Sequence, residues 1–446
     1  MISSSFRRNT PLVVIYNNLE LFATFLKRSN DSELIHTRYY RGDRAIFWLG
    51  DPKLVVTSSR LQNPKEFCVQ VGYPGTQVIT PAIPTTDLSL DVLREPELLH
   101  EIICYAGPQK TLILVPYATT RPFLKLVNIL RKDYGLTIQL PESPEEDCLW
   151  VRDFVDTKSG FRALAASCLP DSQKCLPEGY HCSDRRQAAG VAFWFNNRNI
   201  PCVVKADHGE SGLGHQIILP GKYTSPTEIF NFLTSDPFLD DDLIMVEELI
   251  HSSQKKSPSL EVFVPAAGSG DVCITYLSEQ LFNGFGNFSG VLIAAQSLQE
   301  PWYPKLAEYG LILARNMQKM GYQGHFDLDA VIDDQDQVWL LEINSRRTGG
   351  TFVHEYARFI LGDDYLEKYV ILSHNKIPCK DCGTYESLKS RLGNLTFPIQ
   401  SEPRGILITV ISALAVSEFG CFFIDTSVDA VKQMYETFVK SLASGK

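Results

Sequence analysis

The chain has 446 residues, 44% of them hydrophobic and 21% charged, the composition of a folded globular protein with room for two or three domains. Its 52 acidic residues outnumber 42 basic ones, and the net charge of −10 excludes a generally basic nucleic-acid surface; an anionic substrate must meet a locally basic cleft. With the polar opening MISSSFRRNT no secretory leader is expected, and the longest apolar run, 406–416, is about half a membrane span.

In chain order, LVVIY (12–16), AIFWL (45–49), LVVT (54–57) and LILV (112–115) are expected as buried strands, while 90–105 and 123–133 carry helix-period apolar residues. This alternation predicts a three-layer α/β domain with a largely parallel sheet over residues 1–150. It contains no GxGxxG, so nothing in it marks a dinucleotide site. PESPEED (141–147) reads as a linker. From Asp156 the organisation changes. Helices are expected around 159–166 and over 183–197, the second with Ser183 as N-cap. Strands follow at 202–205, 243–247, 260–264 and 272–276, then a helix at 304–320 and a hairpin within 327–350. After Asn375, strands at 406–411 and 421–425 and a helix at 428–442 close the chain. Eleven cysteines without regular spacing, with one CxxC at Cys379 and Cys382, suggest free thiols in a reducing cytoplasm rather than a zinc site.

Three stretches carry candidate chemistry. In VVKADHGESGLGHQIIL (203–219), Lys205 ends a strand and is followed by Gly209, Ser211, Gly212 and Gly214. Glycine lets backbone N–H groups approach phosphate oxygens, and lysine adds a mobile positive charge. The order is the reverse of a Walker loop, so the expected arrangement is strand, glycine loop and strand, folding over phosphates as a lid; a plain glycine-rich hairpin is the other reading. In LIMVEELI (243–250), the backbone of Glu247, Glu248, Leu249 and Ile250 suits the N6 donor and N1 acceptor of adenine, with Leu249 against the ring. An ordinary strand end would look the same.

The third stretch is DLDAVIDDQDQVWLLEINSRRTGG (327–350). A turn centred on Gln335 and Asp336 sets Asp329 opposite Glu342, with Cβ atoms about 5 Å apart. Period-two alternation puts Val338, Leu340, Glu342 and Asn344 on one face. Facing carboxylates repel unless a cation lies between them. Two carboxylates and an amide oxygen suit Mg²⁺ completed by phosphate and water, the alternative being a solvated hairpin face.

Lysine–glycine loop, EELI strand and carboxylate hairpin, in this order, resemble the ATP-grasp superfamily of carboxylate–amine ligases. Asp156-Thr157-Lys158 ahead of a helix is similar to the family's first ATP lysine, and Glu342-Ile343-Asn344-Ser345-Arg346 to its metal-and-arginine strand. A closer resemblance, to pheganomycin-type peptide ligases, is carried by SPSLEVFV (257–264), YLSEQLFNGFGNFSG (276–290), GYQGHFDLDAV (321–331) and EINSRRTGGT (342–351).

The resemblance implies an α/β and α+β architecture: a Rossmann-like pre-ATP-grasp domain (1–150), a two-lobed ATP-grasp domain (151–375, lid lobe about 190–250) and a small C-terminal α+β module (376–446). It implies an ATP-dependent ligase that forms an acyl phosphate, passes it to an amine and releases ADP and phosphate, with amino acids or peptides as substrates. Lys158 and Lys205 would hold the α- and β-phosphates, and Gly209, Ser211, Gly212 and Gly214 would cover the triphosphate. Glu247, Glu248, Leu249 and Ile250 would meet adenine, and Asp329, Glu342 and Asn344 would bind one or two Mg²⁺. Arg346 would stabilise the transferring phosphoryl or the tetrahedral oxyanion, Arg347 would grip a substrate carboxylate, and Gly349 and Gly350 would admit the substrate to backbone N–H groups. Asp327 stands where many members carry a basic residue, and Arg346 or Arg347 would have to compensate. His215 is expected as exposed loop polarity, His325 and His354 as packing around the hairpin, and Phe282, Phe285 and Phe288 as core. No nucleic-acid or membrane partner is implied, and a homodimer is left open. A nucleotide-sensing module without turnover and an ATP-grasp carboxylase or phosphotransferase are the alternatives.

Overall fold

A computed structural model describes residues 10–29, 32–209, 212–240, 243–283, 286–379 and 382–443. Strands Gln77–Ile79, Leu54–Thr57, Leu12–Tyr16, Thr111–Pro116 and Thr137–Gln139 form, in that spatial order, a parallel five-stranded sheet. Its central strands are covered on both faces, which is why they read as unbroken β-branched runs: Val13, Val14 and Ile15 are all fully buried. The chain winds outward from Leu12–Tyr16 on one side and resumes beside it at Thr111–Pro116, so the topological switch point lies between these two strands. There the Asn17 amide closes the crevice, donating to Ala118 O at 3.0 Å and accepting from Ala118 N at 3.2 Å.

Three local expectations change. AIFWL is not a strand; Gly42–Phe47 is a 3₁₀ helix, anchored by Asp43, whose carboxylate accepts the N–H of Ser412 at 2.8 Å and of Ile411 at 2.5 Å. Residues 90–105 split into helices Leu88–Arg94 and Pro96–Tyr105, because Pro96 drives Glu95 into extended backbone. Helix Arg185–Asn197 is capped by Asp184 rather than Ser183, its carboxylate accepting from Arg186 N at 2.7 Å and Gln187 N at 2.9 Å.

An eight-stranded antiparallel sheet follows the order Val338–Asn344, Gly324–Ile332, Pro258–Val264, Cys273–Asn283, Asn287–Ile293, Val370–Pro378, Glu418–Asp425 and Gly405–Val410. The segment 376–446, expected as a module of its own, thus adds its strands to this sheet. Helix Tyr303–Lys319 buries Leu306, Leu313 and Met317 against it. A four-stranded antiparallel sheet, Gly179–Cys182, Ile244–Glu248, Cys202–Ala206 and His215–Ile218, packs with helices Arg185–Asn197 and Pro226–Thr234 around a separate apolar cluster. Cys379 and Cys382, expected as free thiols, form a disulfide with their Cα atoms 5.7 Å apart. Among the described residues no helix is long and apolar enough to cross a membrane.

Candidate active site

Asp329 lies opposite Glu342, and Asp327 opposite Asn344. Beyond Asp329 the register shifts: Ala330 pairs with Leu340, leaving Leu341 as the extra residue of a β-bulge. The bulge overturns the expected alternation. Val338, Leu340 and Ile343 pack into the core with Phe326, Leu328 and Ala330, while Glu342 and Asn344 turn to the opposite face beside Asp329. Strict period-two geometry would have sent one of these two groups to the wrong side.

The polar face has a defined charge order. Asp329 Oδ2 accepts from Asn344 Nδ2 at 2.9 Å, while its Oδ1 is buried without a hydrogen-bond partner among the described residues. Burial, reinforced by the Glu342 charge, pushes the Asp329 carboxyl up to about 6. Burial also opposes ionisation of Glu342, but Lys158, with its Nζ 3.2 Å from Glu342 Oε2, leads the charges that hold that carboxyl down at about 2. Asp327 is held far above the carboxylate range by burial and by Glu261 and Asp329; its Oδ2 accepts from Thr348 Oγ1 at 2.6 Å and Ser259 Oγ at 3.1 Å. Its carboxyl ties this strand to Ser259 of the neighbouring strand and to Thr348.

This donor set fits Mg²⁺ held jointly with phosphates. The orphaned Asp329 Oδ1 and the Glu342 carboxylate are hard oxygen donors, and among the described residues no group of three or more His, Cys, Asp or Glu could cage an ion alone. Asn344 departs from its expected part, because its amide oxygen accepts from Arg346 Nη1 at 2.7 Å rather than facing the carboxylates.

Two lysines converge on this hairpin. Lys158 opens helix Lys158–Cys168 behind a Thr157 cap, and its N–H donates to Asp207 O at 3.1 Å. The Asp207 carboxylate accepts from Ser159 N at 2.7 Å and Ser159 Oγ at 2.8 Å, so the residues after Lys205 pin the helix that carries Lys158. A Cβ on Gly209 would lie 3.3 Å from Lys158 Nζ. Gly212 and Gly214 hold φ of +80° and +73°, and a Cβ on Gly214 would meet Ala206 Cβ at 3.0 Å. Ser211 lies outside the described residues. His215 is half-buried opposite Lys205 on the paired strand, and burial with the two lysine charges drives its ring down to about 3; it is a neutral imidazole beside the lysines rather than exposed loop polarity.

Lys205 is buried with its ammonium on Glu247, which also accepts from Arg162 Nη1 at 3.2 Å. The Glu247 side chain therefore positions the lysine. The N–H groups of Glu248 and Leu249 donate to Glu178 O and Pro201 O, each at 2.8 Å, so Ile250 is the residue of this run left to offer an N–H to a ring.

Arg347 does not have the role expected of it. It is 2% exposed, donates to both oxygens of Glu142 at 2.7 and 2.8 Å and to Glu355 Oε1 at 2.9 Å, and stacks 4.9 Å from the Trp48 ring. Glu142 belongs to PESPEED, which is therefore no mere linker. Gly349 and Gly350 are packing positions too: added Cβ atoms would lie 2.7 Å from the Phe288 ring and 2.4 Å from Tyr276 Oη. Phe282 is exposed rather than core, and Phe285 lies outside the described residues. Arg346 keeps a place at the site, joining Asn344 to Asp156, whose Oδ1 is 3.7 Å from Arg346 Nη1 and accepts from Ser345 N at 2.9 Å. Glu142, Asp156, Asp207 and Glu261 are the positioning carboxylates that sequence reasoning missed. Only Asp156, directly before Thr157-Lys158, had a local signal.

A polar recess with a cavity volume of about 10 Å³, room for a single water, lies where the parallel-sheet crevice meets the end of Val338–Asn344, lined among others by Tyr117, Glu142, Tyr322, His325 and Arg346.

No family model and no curated protein sequence matches the chain. Solved structures do. N5-carboxyaminoimidazole synthase from Aspergillus clavatus, in complex with ADP and 5-aminoimidazole ribonucleotide, matches with TM-score 0.54 and 11% identity, over 98% of this chain and 99% of that one. Biotin carboxylase from Campylobacter jejuni matches with TM-score 0.55 and 12% identity, over 95% of this chain and 90% of that one. The biotin carboxylase domain of Hydrogenobacter thermophilus 2-oxoglutarate carboxylase, in complex with MgADP and bicarbonate, matches with TM-score 0.54 and 13% identity, over 97% and 90%. The fold is the ATP-grasp fold. In this fold the Lys158–Glu342 contact joins the helix Lys158–Cys168 to the carboxylate hairpin, and Asp207 joins that helix to the four-stranded sheet.

Proposed function

We propose that the protein is an ATP-dependent ligase that activates a carboxylate as an acyl phosphate and joins it to an amine, releasing ADP and phosphate. The observation that carries this reading is the convergence of two buried lysines on a two-carboxylate hairpin, with Lys158 seated on Glu342. Lys158 and Lys205 would bind the phosphates, with Gly209, Gly212 and Gly214 beside them, and Asp329 and Glu342 would hold Mg²⁺, which would supply charge neutralisation there. Arg346, next in line after Asn344, faces the transferred group. Positioning and charge neutralisation are the chemistry the protein supplies, since the acyl phosphate needs no covalent enzyme nucleophile. The ADP and MgADP complexes of proteins with this fold support the nucleotide assignment, and residues 190–250 are assigned as the lid.

The substrate class, amino acids or peptides, is tested by coupled ADP release over pairs of amino acids and peptides, with mass spectrometry of the products. Turnover requiring both a carboxylate and an amine, with an amide as product, is expected. Bicarbonate-driven turnover without an amide product would replace the ligase reading with a carboxylase.

A further inference from the structure

We infer that Phe22 is a positioning residue whose ring seats the Arg346 guanidinium, so that a helix beside the parallel sheet sets where the arginine after the hairpin points. That Arg346 faces a transferred phosphoryl group rests on the ligase reading; the seat itself rests on the following geometry.

Helix Asn18–Leu26 buries Leu19, Phe22, Phe25 and Leu26. The steps of three and four residues between Leu19, Phe22 and Leu26 put these three on one face. The parallel sheet is covered by other side chains, among them Leu99, Ile102, Phe123 and Val127. This face is used elsewhere. Leu19, Phe22 and Leu26 form a small apolar cluster of their own, with Tyr117 and Leu213 packed against it. Phe25 stacks on Phe238 with ring centroids 4.7 Å apart, which places it in the apolar cluster of the four-stranded sheet.

Arg346 meets the helix from the hairpin side. Its Cζ lies 5.3 Å from the centre of the Phe22 ring, within cation–π range. Phe22 is 8% exposed and the Arg346 side chain 9%, so solvent screens the pair little. Both partners are held from behind. Asn17, directly before the helix, exchanges two hydrogen bonds with Ala118, and the neighbouring Tyr117 carbonyl accepts from Arg347 N at 3.1 Å.

Asn344 Oδ1, at 2.7 Å, and Asp156 Oδ1, at 3.7 Å, face Arg346 Nη1, while Phe22 holds the guanidinium by its plane. A ring takes up none of the five N–H groups of a guanidinium. A carboxylate in its place would grip as firmly and cancel the charge that a phosphoryl oxygen needs. Phe22 orients the cation without neutralising it.

The test compares Phe22→Leu, which removes the ring but keeps an apolar side chain, with Phe22→Tyr, which keeps the ring. In the full chain labelled with ¹⁵N-arginine, the Arg346 Nε–H signal is assigned by its loss in Arg346→Lys. It is expected to show nuclear Overhauser contacts to aromatic protons in the parent and in Phe22→Tyr, and to lose them in Phe22→Leu. A parent signal without an aromatic contact overturns the seat, even if Phe22→Leu does not fold. In the ADP-release assay Phe22→Leu is expected to lower kcat by roughly tenfold, the order of one desolvated cation–π contact, with KM for Mg-ATP within about twofold of the parent. Phe22→Tyr is expected to keep the parent kcat. An unchanged kcat in Phe22→Leu, or a change in KM alone, overturns the positioning role. A chain that shows the aromatic contact but releases no ADP with any carboxylate and amine keeps the seat and loses the ligase.

Discussion

Lys158 Nζ lies 3.2 Å from Glu342 Oε2, so this lysine neutralises the outer carboxylate of the hairpin. Glu342→Gln is expected to abolish ADP formation while the far-UV circular dichroism stays that of the parent. Because the folded-state pKa of Glu342 is depressed to about 2, its contribution to stability is present above the ordinary glutamate range and disappears as pH falls toward that value. The melting temperatures of parent and variant should converge on acidification; a constant gap across that window would remove the ion pair from the account.

Asp329 titrates in the opposite sense. Its folded pKa is raised to about 6, so holding it ionised costs stability that grows as pH rises from its ordinary value through that point. Asp329→Asn should be more stable than the parent near pH 8 by an amount on the order of 2 kcal/mol, and no more stable near pH 3. Mg-ATP should raise the melting temperature of the parent and not of the variant. A variant that is destabilised at both pH values would contradict this.

Lys205 and Glu247 are both buried and paired. Removing the lysine leaves the Glu247 carboxylate to Arg162 alone, so Lys205→Met is expected to lose stability, on the order of 1–3 kcal/mol, as well as ATP affinity. The double variant Lys205→Met/Glu247→Gln separates the two effects. Stability should return in part in denaturant unfolding, since an amide oxygen at 247 still accepts from Arg162, while calorimetry still shows weak ATP binding. Recovery of ATP affinity in the double variant would leave Lys205 without a phosphate role.

The neighbouring arginines should behave differently. Arg346→Ala is expected to fold normally and to lose kcat by roughly a hundredfold, the cost typical of a lost charge-stabilising donor. Arg347→Met strands Glu142 and should cost about 3–5 kcal/mol of stability, partly restored by adding Glu142→Gln. Equal stabilities of the two single variants would refute the distinction between a reacting and a structural arginine.

Much of this site was legible because a short polar turn fixes which residues of a hairpin face each other. The turn at Gln335 and Asp336 placed Asp329 opposite Glu342, and the order of Lys158, Lys205 and the hairpin followed from reading along the chain. The Leu341 bulge was not legible, because Leu340 and Leu341 are equally apolar and only pairing reveals which one is extra. Glu142 was hidden for a different reason. A carboxylate among prolines looks like linker chemistry, and its partner Arg347 lies 205 residues away. Ala45 to Leu49 has strong strand propensity, overruled by the hold of Asp43 on the backbone at Ile411 and Ser412. Gly349 and Gly350 showed in sequence that something comes close, not that it is the rings of Phe288 and Tyr276.

The Glu142–Arg347–Glu355 clamp also bears on how such a chain can diversify. The guanidinium is anchored from the first domain on one side and from helix Thr351–Leu361 on the other. Exchange of the N-terminal 150 residues for a foreign counterpart without an acid at the position of Glu142 would leave a cation in the interior with part of its counter-charge gone. Inheritance of the two halves is thus chemically linked through one guanidinium.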